Sequence, residues 1–370
     1  MRFLRQTGVV GLAAATLVAL AACGSGGSAS DSAPATAPSD LVSKAKSEGQ
    51  ITLYGDANQD SLQKWTQGFT DKYGIKVQVL RLAGSQLFQR FAQEESAKQA
   101  QADVFSVTDY ASLKQSADQG WLAKYTPKDA GLLPADLGEA GYFYPLQNTS
   151  NQTVVYNTEK LTPAEIQEVR SDPVAAVQDP KFKGRIGVNY PQSSQQAAAM
   201  WYQWTDGSQK SKYGWDAMKK IAANKPVFAS SPDLINDVIS GEIAVGVGIT
   251  DSLAAPSVAQ GAPIQWVYPD PTVTSAFGAG VVSNAPHPYA ARLFLEWATT
   301  PEADNLYSKI TQTKPINKQS KDSRTFLKES WYAEPKQAWG DFITDKTFLD
   351  ATGSSGDYYD TWNKALGYSG

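Results

Sequence analysis

From residue 50 onward the chain repeats one pattern: a short run of β-branched and aromatic residues, a polar turn, then a helix-length stretch with apolar residues three and four positions apart. No other feature constrains the fold as strongly, because strands separated by helices of roughly 10–15 residues build parallel βαβ units. Residues 51–54 (ITLY) predict a strand ending in the polar turn Gly55-Asp56-Ala57-Asn58-Gln59. A helix follows from Asp60, with Leu62, Trp65, Phe69 and Tyr73 on one stripe, and Gly74 ends it. Ile75, Val77 and Val79 alternate as a second strand, and Gly84-Ser85-Gln86 opens a helix that buries Leu87, Phe88 and Phe91. Arg90 and Glu94, four apart on that helix, predict a solvated pair worth only tenths of a kcal/mol. Residues 103–107 predict a third strand, ending in Thr108-Asp109-Tyr110.

A second set follows. Residues 185–189 are strand-like, and Tyr190-Pro191-Gln192-Ser193-Ser194 leads into a helix with Ala198, Trp201 and Tyr202. Residues 227–229 precede Ser230-Ser231-Pro232-Asp233, a helix start with proline just inside. Residues 243–249 read as a buried strand ending in Thr250-Asp251-Ser252, and 264–268 as another, closing on Tyr268. Open α/β sheets bind ligands outside the carboxyl ends of their strands, where free N–H groups of helix N-termini favour anions. Each Ser, Thr or Asp at these ends could merely cap its own helix, worth about 1 kcal/mol. Taken together they predict a cleft between two facing sheets. Residues 147–156 (QNTSNQTVVY) and 277–283 (FGAGVVS) are extended enough to cross between the sheets as a hinge.

Composition narrows the chemistry. One cysteine and one histidine in 370 residues allow neither an internal disulfide nor a zinc site. His287, in NAPHPYAARLF, reads as a solvent-facing residue at a helix entry, and no G-x-S-x-G offers it a serine partner. Asp109 and Asp251 could face each other across the cleft as the carboxylate pair of a glycosidase, which leaves a lipid-anchored hydrolase as the enzyme alternative. A purely structural or adhesive lipoprotein is a third reading, disfavoured by the hinge-like crossings. The formal charge of −4 gives no general support to nucleic-acid binding. Ten tryptophans and 17 tyrosines suit packing, and equally the walls of a ligand cleft.

The amino-terminal segment speaks to location. Arg2 and Arg5 precede an apolar run over residues 9–22, too short to cross a bilayer of about 30 Å as a helix but suited to a secretory signal. Leu20-Ala21-Ala22-Cys23 resembles the lipobox of bacterial lipoproteins, which implies diacylglycerol on the Cys23 thiol; an ordinary signal cut near Ala22 is the alternative. More than one acyl chain, at about 0.8 kcal/mol per buried CH2, anchors a protein stably. Residues 24–40 (GSGGSASDSAPATAPSD) cannot bury enough apolar area to fold and predict a tether reaching roughly 20–25 Å. Loss of the signal moves the charge to −6, with 31 basic against 37 acidic residues.

The stretches ITLYGDANQD, GIKVQVL, AQADVFSVTD, VVYNTEKL, SGEIAVGVGITDS and NAPHPYAARLFLEWATTPEA, in this order, resemble the solute-binding proteins of ABC transporters. The nearest group is the type II binding proteins for ferric ion, polyamines, thiamine, sugar phosphates and aminophosphonates. The resemblance implies a two-lobed α/β fold, two open sheets joined by crossing hinge strands, that closes on a solute without a cofactor. It also implies delivery to a permease driven by a cytoplasmic ATPase, at the outer face of the cytoplasmic membrane, by a monomer. The expected divisions are a signal over 1–22, a lipidated tether over 23–40, lobe 1 over 41–150, lobe 2 over 151–273, a return to lobe 1 over 274–325, and C-terminal helices on lobe 2 over 326–370. The ferric branch places a histidine, an acid and adjacent tyrosines where this chain has Asn58, Thr108, Asp251 and Ser252, which disfavours iron.

The expected solute site therefore takes Ser193, Ser194 and Ser231 at the anionic end of a small ligand, with Asn58, Ser85, Gln86, Thr108 and Asp109 closing from lobe 1. Asp56, Asp109 and Asp251 would accept an ammonium group, with Ser252 beside them and Tyr156, Tyr190 and Tyr268 as walls. If the serines only cap helices, a polyamine fits equally.

Overall fold

The computed structural model describes residues 38–353 and 355–370. Cys23, the signal segment and most of the expected tether lie outside the described residues. The tether was expected to reach residue 40, but a helix already starts at Pro38 (Pro38–Glu48). Proline suits the first helical position, and Asp40 lies in the first turn, paired to Lys44 at 2.9 Å. Leu41 and Ala45 of this helix are buried in the first core.

Three parallel strands, β1 (Gln50–Gly55), β2 (Lys76–Arg81) and β3 (Val104–Val107), form the first half of the sheet in the order β2-β1-β3. All four residues of β3 are buried, as expected of a parallel strand covered by helices on both faces. Beyond it come β4 (Tyr144–Asn157), β5 (Ile186–Asn189), β6 (Val227–Ala229), β7 (Val245–Thr250), β8 (Ile264–Val267), β9 (Thr272–Val281) and β10 (Ala338–Trp339). The hydrogen-bonded path runs β2-β1-β3-β9-β4-β7-β5-β6, with β8 on β4 and β10 on β9. The two sets of parallel strands are thus joined through one antiparallel pair, β4 with β9.

That pair runs between separate apolar cores. Val281 and Ala279 of β9, with Leu146 of β4, belong to a core shared with Trp65, Phe69, Phe105 and Phe294. Farther along β4, Val154 and Tyr156 face a second core with Trp201, Trp204 and Trp362, while Val155 faces a third with Leu234, Ile249 and Trp266. Phe348, Tyr358 and Trp362 of the C-terminal helices Lys346–Thr352 and Tyr358–Leu366 pack in the second core. The chain passes from Ile316 of the first core to Phe326 of the third through a segment held by Arg324, which binds Asp322 (2.7 Å), Glu334 (2.5 Å) and the Tyr332 hydroxyl.

Between the cores the β4–β9 register slips twice: Pro145, Gln147 and Ser150 face Gly278, Phe277 and Ser275. Each slip leaves one extra β4 residue opposite β9, so the ladder is irregular across the crossing. On the other edge of β4, Thr153 pairs with Ile249 and Val154 with Val247, so Gly248 is an extra residue in β7, at φ +84°. A Cβ there would lie 3.0 Å from Met200 Cε and 3.1 Å from Asn189 Cβ. Gly248→Ala is therefore expected to destabilise the protein by about 1–3 kcal/mol, read as an earlier midpoint in urea, through left-handed backbone strain and crowding. An unchanged midpoint would show that β7 can be rebuilt without the bulge.

Candidate functional site

The carboxyl ends of β1 and β3 bring Asp56, Thr108 and Asp109 together. Asp56 Oδ2 accepts from the Thr108 backbone N–H (3.1 Å) and hydroxyl (2.9 Å). Its Oδ1 is shielded from solvent and has no hydrogen-bond partner. Burial pushes the Asp56 carboxyl up to about 6, with the Thr108 hydrogen bonds and the Arg81 charge opposing and the Asp109 charge adding to the rise. The helix Gly84–Ser96 starts against the same group: a Cβ on Gly84 would lie 3.0 Å from Asp56 Oδ2. Ser85 and Gln86, in its first turn, are exposed.

Two neighbours are committed to capping. Asn58 accepts from Ser61 N (3.0 Å) at the start of the helix Gln59–Tyr73. Asp109 accepts from Ala111 N (3.0 Å) and from the Ser112 hydroxyl (2.5 Å), at the start of the helix Tyr110–Asp118.

In the second half, the helices Gln195–Thr205 and Ser231–Ser240 open at the ends of β5 and β6. Ser194 is exposed and its Oγ accepts from Ala197 N at 3.1 Å, so its hydroxyl proton remains to be donated. Ser231 is buried and its Oγ accepts from Thr250 N at 3.2 Å, with the same consequence. Ser193 differs: it donates to Asn189 Oδ1 at 2.6 Å, so its proton is not available to an anion. At the helix Gln195–Thr205 the Ala197 N–H is taken by Ser194 Oγ, and at the helix Ser231–Ser240 Pro232 has no N–H and Asp233 N donates to Ser230 O at 3.1 Å.

Three expected site residues are turned inward. Tyr156 is fully buried in the second core and donates to Gln265 Oε1 at 2.9 Å, so it cannot wall a cleft. Asp251 is 3% exposed, accepting from Asn151 N (2.9 Å), Asn151 Nδ2 (2.5 Å) and the Tyr268 hydroxyl (3.0 Å). Burial pushes its carboxyl up to about 6 despite those bonds, and raises the Tyr268 hydroxyl as well. Asp251 and Tyr268 satisfy each other rather than a ligand. Ser252 lies 3.3 Å from the Ser150 hydroxyl and donates to Thr250 Oγ1 at 3.1 Å. Tyr190 is half-buried and stacks on Tyr368, ring centroids 5.1 Å apart.

Asn151 and Asn189 were not anticipated as part of this region. Their only signal is an amide side chain in an otherwise β-forming run. Of the groups the enzyme alternatives would use, Asp109 and Asp251 hold the partners described, and His287 binds buried Asp103 through its backbone N–H (2.6 Å) and Nδ1 (3.0 Å). Glu94 is likewise more than a solvated partner of Arg90, since it also accepts from the buried Tyr54 hydroxyl. Among the described residues no three His, Cys, Asp or Glu side chains gather to hold a metal ion, and no helix is long and apolar enough to cross a membrane.

The raised Asp56 carboxyl gives a measurable linkage. Its native value of about 6 lies above the unfolded value of about 3.9, so the native state holds the extra proton between them. That contribution to stability is complete at low pH and is lost as pH rises through about 6. Asp56→Asn keeps acceptors for Thr108 and cannot ionise. Its stability relative to the parent should rise between pH 4 and pH 7, by on the order of 1–3 kcal/mol in urea titrations. A pH-independent difference would show that the carboxylate is not strained by burial.

Residues 55–305 match the family of bacterial extracellular solute-binding proteins. The Fe(3+)-binding periplasmic protein of Serratia marcescens is 24% identical over 266 residues, covering 69% of this chain and 75% of that protein. Among solved structures, an ABC-transporter substrate-binding protein from Agrobacterium tumefaciens superposes with a TM-score of 0.67 at 16% identity, covering 88% of this chain and 97% of the other. The periplasmic binding protein AfuA of Actinobacillus pleuropneumoniae, with fructose-6-phosphate bound, does so with a TM-score of 0.61 at 20% identity, covering 86% and 97%. The fold is that of the type II periplasmic binding proteins, and the chain belongs to the bacterial extracellular solute-binding protein family, the substrate-binding components of ABC transport.

Proposed function

We propose that this chain is the lipid-anchored solute receptor of an ABC importer and that it captures a small anionic or zwitterionic solute of the phosphonate, sugar-phosphate or carboxylate type. The observation that carries the anionic reading is the pair of hydroxyls on Ser194 and Ser231. Both oxygens accept from backbone N–H groups, which leaves both protons free to donate at the mouths of two helices. The sugar phosphate bound by AfuA supports the same class at the level of the fold. With Asp251 occupied by Asn151 and Tyr268, an ammonium group would have to meet Asp56 or Asp109 of lobe 1 instead.

Iron is a poor solute for this arrangement, even though the Serratia relative is named for it. Asn58 is neutral and caps a helix, Thr108 holds Asp56, and Ser252 is neutral; a hard trivalent ion needs charged oxygens. A polyamine is the second reading, favoured by the unpartnered Asp56 Oδ1 near Asp109.

A thermal-shift screen of inorganic phosphate, phosphonates, sugar phosphates, carboxylates and polyamines separates these readings, because a ligand at 100 times Kd stabilises by about 2.7 kcal/mol. Calorimetry on Ser194→Ala with the strongest anionic hit should show a 10- to 150-fold loss of affinity, roughly 1.5–3 kcal/mol for one charge-assisted bond. Ser193→Ala should lower the melting temperature and spare affinity. Stabilisation by polyamines alone, or unchanged affinity in Ser194→Ala, would overturn the anionic reading.

Anchoring rests on Leu20-Ala21-Ala22-Cys23. Cys23→Ser should move the protein from the membrane fraction to the soluble fraction without altering its melting temperature. Retention of that variant on membranes would refute lipidation of Cys23.

A further inference from the structure

Buried polar side chains gather where β4 and β9 cross between the apolar cores. On β4, Leu146 before the crossing and Val154 and Val155 after it are buried and apolar, whereas Ser150 and Asn151 between them are buried and polar. Ser275 of β9 is buried opposite Ser150, and Thr274 is opposite Asn151. Cohesion alone would be served by apolar packing, so the polarity of this belt calls for another account.

Asp251 organises the belt. It begins the helix Asp251–Ala259, at the carboxyl end of β7, and its carboxylate is bonded to Asn151. Asn151 in turn accepts on Oδ1 from Thr274 Oγ1 at 2.7 Å. One carboxylate, through one amide, therefore ties the first turn of a lobe 2 helix to both crossing strands. The second oxygen also takes the Tyr268 hydroxyl, which adds the segment after β8. A parallel link runs from the neighbouring helix Gln195–Thr205: Gln196 Nε2 donates to Ser150 O at 3.2 Å and to the Ser275 hydroxyl. The helix that opens at Ser194 and the helix that opens at Asp251 are thus both bonded to the strands about which the lobes must turn.

We propose that Asp251 is the positioning residue of lobe closure: its carboxylate fixes the crossing strands against the lobe 2 helices, so that the orientation of the lobes and the presentation of the solute edge change together. This rests on the reading that the chain works by closing its lobes on a solute. The residue does not touch the solute itself.

The test reads lobe orientation without any ligand, so a wrong solute assignment would appear only in the calorimetry above. Spin labels go on Lys64→Cys, exposed on a lobe 1 helix, and Lys219→Cys, exposed on a lobe 2 helix, in the full chain carrying Cys23→Ser. Double electron–electron resonance then gives the interlobe distance distribution, beside a melt of each variant. Asp251→Ala and Tyr268→Phe should broaden the distribution relative to the parent. Thr153→Val is the control: it removes a buried hydroxyl that donates to Ile249 O inside lobe 2, and should lower the melting temperature without broadening. An unbroadened distribution in Asp251→Ala, or equal broadening in Thr153→Val, would overturn the proposal. Should Asp251→Ala fail to fold, Tyr268→Phe and Thr274→Val are held to the same criterion.

Discussion

The antiparallel pairing of β4 with β9 is the constraint on which the rest of this molecule depends. Each parallel set of strands has its own helices and its own interior, and the hydrogen-bonded path between the sets runs through this one ladder. A ladder that must lie between two interiors cannot rely on apolar side chains to fix its alignment, since sliding one apolar residue past another costs little. Buried amides and hydroxyls behave differently. Each must find its partner or forgo about 1–3 kcal/mol, so Asn151, Thr274, Ser150 and Ser275 are satisfied in one alignment and penalised in others.

The same accounting separates two aspartates at strand ends, Asp56 and Asp251. Asp56 and Asp251 are both raised to about 6 by burial, so neither sits comfortably as an ion. Asp251 has three donors on its two oxygens, and its strain is contained within a network. Asp56 spends only one oxygen on Thr108 and leaves the other without a partner. Asp56 thus keeps a free acceptor oxygen beside a helix N-terminus, whereas both oxygens of Asp251 are tied into the scaffold.

The alternation of strands and helices was legible because parallel strands are buried on both faces and so read as short apolar runs. The caps were legible because Asn58, Asp109 and Ser194 act on N–H groups two or three residues away. What the sequence hid is long-range or depends on face. Tyr156 reads as a cleft wall because aromatic residues suit one, but its ring is buried in the second core and its hydroxyl is bonded to Gln265, 109 residues later in the chain. Asp251 was read as a ligand group from its position after β7, and its true partner lies 100 residues earlier in the chain. Ser193 and Ser194 are adjacent and chemically identical; only the folded position of Asn189 decides that one has given up its proton and the other has not.

Within one fold, a change of solute requires only a change in which strand-end groups keep free valence. At the lobe 1 edge one group that could neutralise a cation keeps free valence, the Asp56 Oδ1, while Asn58 and Asp109 cap helices and Thr108 donates to Asp56. At the lobe 2 edge the free valence consists of protons, on the hydroxyls of Ser194 and Ser231. Donors of this kind stabilise negative charge through fixed dipoles and need no counter-charge of their own, which suits a chain that carries more acids than bases. The backbone that gives the chain its place among the solute-binding proteins is therefore separable from the strand-end groups that would choose the solute.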